Sequence, residues 1–204
     1  MDINNILYLI IYLVSFIGID FIYFKFIKEF PIKIWMHLIS IVVPSGMIFY
    51  LNTFSIETFC YCTIMEILII LGFTDVLHFE ISKNSYWLLL ALCYASILLT
   101  TSGASLFDAA LSPIVMYFVF WVFDHLFGIE KLGGADVKLM LILSFYFDAT
   151  ELFQFVILVF GFCAFLFFIY AFIKMKFRRV QVPMIVGIAL GFIVQGYLTL
   201  SFLP

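Results

Sequence analysis

Long apolar runs separated by short polar breaks dominate the chain. Marking the runs between charged residues and Gly, Pro or Asn punctuation predicts helices near 5–24, 34–52, 57–74, 85–101, 105–123, 137–147, 152–173 and 181–203. The runs lack the strict alternation of a half-buried strand and the narrow apolar stripe of a helix on a soluble core. Most approach the roughly 20 residues that a membrane-crossing helix needs. The pattern predicts an all-α, polytopic integral membrane bundle with about eight transmembrane segments, one of them short. The first run, ILYLIIYLVSFIGIDFIYF, has no basic stretch before it and exceeds a cleavable signal core, so it is expected to be a retained span. No repeat or soluble insertion interrupts the pattern, and residues 1–204 read as a single membrane-embedded domain.

One run departs from the rest. VKLMLILSFYF, residues 137–147, would rise only about 16 Å as a helix, roughly half of a hydrocarbon core. Two solutions are open: neighbouring helices shield a short crossing, or the helix begins below the membrane surface. The second would leave the preceding GGAD turn recessed against a cavity beside Asp136, because irregular backbone at that depth needs protein or water around it.

Composition supports the membrane class, with 66% hydrophobic and 11% charged residues. The basic residues sharpen it into a topology. Lys25, Lys28 and Lys33 follow the first run, Lys83 the third, Lys131 and Lys138 the fifth, and Lys174, Lys176, Arg178 and Arg179 the seventh. The positive-inside rule therefore places these four connections in the cytoplasm and both termini outside. The opposite connections carry Glu57, Asp108, Asp148 and Glu151 without a basic residue, which agrees with the same parity. A net charge of −3 offers no basic field for nucleic acid. Cys60, Cys62, Cys93 and Cys163 all sit inside apolar runs without zinc-site spacing. They are expected to be small apolar fillers, and no metal or cofactor is expected.

The candidate chemistry lies in two aspartates at one expected membrane face: Asp75, ending the third run, and Asp136, opening the sixth. If their helices are neighbours, the two carboxyls can share a pocket in which both cannot easily ionise. One would hold a proton while the other activates water, as peptide hydrolysis requires. Gly133 and Gly134 would permit a tight turn and close approach of backbone to an extended substrate. On spacing alone, simple helix capping by each Asp, with the glycines merely breaking a loop, is the plainer explanation. Lys138 either orients the loop or snorkels to the interface, and His78 reads as a hydrated interfacial residue near Asp75. Glu66, nine residues before Asp75, should lie on the opposite helix face and demands a partner, with Asp20 and His37 as candidates.

The run Glu130, Lys131, Leu132, Gly133, Gly134, Ala135, Asp136, Val137, Lys138, Leu139, Met140 resembles the GxGD signature of type IV prepilin peptidases and archaeal preflagellin peptidases. Asp75 followed by Ile81 resembles the first catalytic aspartate of that family, and RRVQVPMIVGIALGF, residues 178–192, its last span. The departures are Ala135 in place of the second glycine, Ser82 and Lys83 in place of a Pro-Asn pair with Asn84 adjacent, and a missing second proline in PMIVG. The resemblance runs from about residue 60 to the C-terminus, dividing the domain into divergent N-terminal spans, 1–55, and a catalytic core, 56–204. It implies Asp75 and Asp136 as catalytic residues, with Gly133, Gly134, Lys138 and Glu130 as supporting loop. It further implies a short-form aspartic leader peptidase without the cysteine-rich insertion of larger members. The implied substrate is a prepilin-like, pseudopilin-like or preflagellin-like precursor, cut at the cytoplasmic face of the cell membrane within a pilus or secretion system. Self-association is left open. The rival readings are a small proton-coupled transporter built on Glu66, Asp20 and the interfacial aspartates, and an inactive membrane scaffold.

Overall fold

The computed structural model describes residues 3–26, 33–51, 55–78, 83–100, 103–127, 134–174 and 183–201. These residues form eight helices: α1 (Ile3–Phe26), α2 (Ile34–Leu51), α3 (Ile56–His78), α4 (Lys83–Thr100), α5 (Gly103–Phe127), α6 (Gly134–Ser144), α7 (Ala149–Lys174) and α8 (Met184–Ser201). No strand occurs among the described residues. Every expected run falls on one helix. Among the described residues two stretches, Ile56–His78 and Thr150–Ile173, are long and apolar enough to cross a membrane, while the apolar stretches of α1, α2, α4, α5 and α8 are shorter.

The third helix is the hub. Residues 61–72 are buried without exception, and α3 packs against α1, α2, α4 and α8. A helix that is apolar all round can bury every face, so this stretch of α3 has no side left for solvent. Its start is capped by Ser55, whose Oγ accepts the Thr58 N–H at 3.1 Å. The outer helix α7 is opened by a reciprocal cap. The Glu151 N–H donates to Asp148 Oδ1 at 2.8 Å, and the Asp148 N–H donates to Glu151 Oε2 at 3.3 Å. Beyond it, Phe153, Ile157, Phe165, Phe168 and Phe172 are exposed, an outward face that suits lipid.

Close approach of α7 and α8 rests on two glycines. A Cβ at Gly187 would collide with Cys163 Sγ, and one at Gly191 would lie 2.8 Å from Val159 Cγ2 and 3.2 Å from Val159 N. The two contacts are four residues apart on both helices, so one small-residue seam sets how tightly α8 lies against α7.

The short sixth helix solves its length problem at the end away from Asp136. Gly134, Ala135 and Asp136, expected in an irregular turn, are instead its first helical turn, with Gly134 exposed and Asp136 half-buried. After Ser144 the chain turns, with the Tyr146 N–H donating to Leu143 O at 2.9 Å. Phe147, 2% exposed, packs against Phe155 at 4.8 Å between ring centroids, and its carbonyl accepts the Ser112 hydroxyl at 2.6 Å. Protein thereby satisfies the turn that a short helix leaves behind.

Candidate active site

Asp75 lies in the last turn of α3 and is 8% exposed. A carboxylate there opposes the dipole of its own helix, so capping of α3 does not account for it. Its partner comes from another helix: Oδ2 accepts the Ile185 N–H at 3.1 Å. Ile185 is in the first turn of α8, where amides lack intrahelical acceptors. Pro183 begins that segment, and proline at a helix start wastes no donor.

Asp136 is half-buried in the first turn of α6, an electrostatically favourable place for a carboxyl. The helices α4 and α8 each pack against both α3 and α6 and so bridge the two aspartates. Asp75 and Asp136 lie within electrostatic reach of each other. Tyr86 of α4 and Cys163 of α7 lie within reach of both. Two carboxyls held at one end of a bundle can divide one proton between them, leaving one able to act as acid and the other as base.

The surrounding residues divide sharply. Glu130 and Gly133 lie outside the described residues, as do Ile81, Ser82 and the basic cluster at 176–179. Gly134 starts α6, and a Cβ there would meet nothing within 4 Å among the described residues. Ala135 is helical, a backbone that alanine favours more than glycine does. Lys138 is exposed and lines an open cleft of about 450 Å³ between α4 and α6 with Tyr86, Trp87, Leu90, Leu141 and Ile142. Two residues on from Asp136, it points to the opposite side of the helix. His78 is exposed at the end of α3.

Residues 62–172, more than half of the chain, match the family model described as the type IV leader peptidase family. The chain belongs to the type IV leader peptidase family. It is accordingly a peptidase, of a family associated with membranes. No curated protein and no solved structure matches the chain. The matched segment of this leader peptidase contains Asp75, Asp136, Tyr86 and Cys163, whereas Ile185, which meets Asp75, lies beyond it.

A second acidic group stands apart from the aspartate pair. Glu66, at the middle of α3, is 0% exposed, and neither carboxyl oxygen has a hydrogen-bond partner among the described residues. Asp20 and His37, the expected partners, bond to each other instead, His37 Nδ1 to Asp20 Oδ1 at 2.7 Å. A buried polar group without a partner costs about 1–3 kcal/mol. Replacing Glu66 with methionine, similar in length and apolar, is therefore expected to raise the unfolding midpoint in detergent. A lower midpoint would mean that Glu66 makes a stabilising contact.

The four cysteines are free and lie inside helices. Among the described residues no group of His, Cys, Asp or Glu has a metal-holding arrangement. Sequence reasoning missed the Ile185 amide and Tyr86. Pro183, at the start of the last apolar run, was the available signal for the first. Tyr86, one turn into the run after Asp75, was the signal for the second.

Proposed function

We propose that this leader peptidase is an aspartic endopeptidase of the cell membrane that removes the short basic leader from prepilin-like or preflagellin-like precursors. All eight helices cross or lie within the bilayer in this reading, with both termini outside and the catalytic pair at the cytoplasmic face. The observation that carries it is that Asp75 and Asp136, far apart in sequence, lie within electrostatic reach of each other at one end of the bundle. The basic residues on the connections at that end support the orientation.

Hydrolysis then proceeds by acid–base exchange. The ionised carboxylate takes one proton from water as the water oxygen bonds to the scissile carbonyl carbon. The protonated partner gives its proton to the carbonyl oxygen, producing a geminal diol. In the return step a diol hydroxyl gives up its proton to one carboxylate, the C–N bond breaks, and the departing nitrogen takes a proton from the other. Both carboxyls end as they began, and one water has divided the chain into a carboxyl and an amine.

The test is reconstitution of the full-length protein in liposomes with a synthetic precursor carrying a basic leader followed by an apolar helix. Mass spectrometry is expected to record release of the leader at the boundary with the apolar helix, at an unchanged rate in excess EDTA. Cleavage that EDTA abolishes and zinc or magnesium restores would replace the aspartic mechanism with a metal-dependent one.

A further inference from the structure

The cleft of about 450 Å³ between α4 and α6 includes neither aspartate and lies on the side of α6 opposite Asp136, so the proposed hydrolysis leaves it unused. Its lining is graded along the helices. Tyr86, Trp87 and Lys138 come from the second turns of α4 and α6, and Leu90, Leu141 and Ile142 lie one turn further in. The two helices run side by side from the end of the bundle where α3 finishes, the end read above as cytoplasmic. A cation and two amphipathic rings therefore stand at the mouth, where such rings sit among lipid headgroups, and the floor beneath them is aliphatic. Trp87 is 71% exposed and Lys138 is exposed as well, so neither is held by packing among the described residues. No carboxylate lines the cleft, and the ion pair found among the described residues joins His37 to Asp20 and leaves Lys138 without one. In sequence, α4 also opens with Lys83, four residues before Trp87.

Basic pockets between membrane helices on the cytoplasmic side select anionic lipid headgroups. We propose that this cleft binds one anionic phospholipid, its phosphate against Lys138 and an acyl chain along Leu90, Leu141 and Ile142. The aliphatic floor argues against a free phosphate, which would leave those side chains uncovered. The unpaired cation argues against a zwitterionic lipid, whose own ammonium competes for the phosphate. The proposal needs the bundle to lie in a bilayer, as read above, but does not need the aspartate mechanism.

The test uses full-length protein, delipidated in detergent and titrated with dioleoyl phosphatidylglycerol, dioleoyl phosphatidylcholine or glycerol phosphate, with native mass spectrometry to count what stays bound. The wild type is expected to hold one phosphatidylglycerol about fivefold more tightly than phosphatidylcholine, the ratio given by about 1 kcal/mol per lysine near a membrane surface. Lys138→Gln is expected to remove that preference, whereas Lys176→Gln, in the basic run before α8, keeps it. Leu141→Trp, which fills the floor, is expected to weaken both lipids alike, with thermal unfolding as the check that each variant is folded. Equal retention of the two lipids by the wild type, or the same loss of preference in both lysine variants, overturns the inference and leaves only diffuse charge. Glycerol phosphate held as tightly as phosphatidylglycerol overturns it in favour of a soluble anion. A dimer that Leu141→Trp abolishes, with no lipid held, overturns it in favour of a second copy of the chain. No precursor enters the measurement, so its failure is recorded separately from any failure of leader cleavage. A protein that stays monomeric in water without detergent would instead remove the membrane reading itself.

Discussion

Asp75→Asn and Asp136→Asn are each expected to reduce leader cleavage by at least about 10³-fold with little change in folding. Asparagine keeps the size of the side chain, and its carbonyl oxygen can still accept the Ile185 N–H that meets Asp75 at 3.1 Å. What it cannot do is take or give the proton that the proposed reaction passes between the two carboxyls. Because the proposed mechanism uses the two groups as one unit, the double variant is expected to be about as slow as either single one. The measurement is the initial rate of precursor cleavage, with helical circular dichroism and the melting midpoint as controls for the fold. A single variant that retains a tenth of wild-type activity would remove that carboxyl from the mechanism. Equal losses in both, without unfolding, would distinguish a shared-proton pair from one catalytic acid with a structural neighbour.

The same two aspartates illustrate how far the chain could be read before its structure. Their positions at the edges of apolar runs follow from a simple constraint: charge is expensive inside such a bundle, so carboxyls accumulate where helices end. Counting runs between basic loops then places Asp75 and Asp136 at the same end. Helix limits were legible for the same reason, and α2 at Ile34–Leu51 and α7 at Ala149–Lys174 nearly coincide with runs marked by polar punctuation alone. The start of α6 was not, because Gly134 is a poor helix former and reads as a turn, whereas the helix begins there, three residues before the apolar run. Contacts between distant segments were also illegible. Neither the Ile185 amide on Asp75 nor the Asp20–His37 pair, which leaves Glu66 without a hydrogen bond among the described residues, has a local signature, since each depends on how helices pack rather than on where they begin.

Packing of α8 is consequently the least visible and most sensitive part of the site. Gly191→Val is expected to destabilise the protein by about 1–3 kcal/mol, the usual cost of overfilling a tight core. The first atom it meets, Val159 Cγ2 at 2.8 Å, could rotate away, but Val159 N at 3.2 Å is backbone and moves only with α7 itself. The seam must therefore open, and α8 carries the amide that meets Asp75 in its first turn. Loss of activity should accompany loss of stability. Gly161→Ala on α7 is the matched control, since a Cβ there meets nothing within 4 Å and the exchange adds about 1 kcal/mol of helix preference at most. Thermal unfolding and cleavage rate measured on both variants decide the matter. If Gly191→Val melts and cleaves like the wild type, contact along the α7–α8 seam does not position the start of α8. If it loses both while Gly161→Ala loses neither, the orientation of Asp75 depends on a glycine six residues down the helix that meets it.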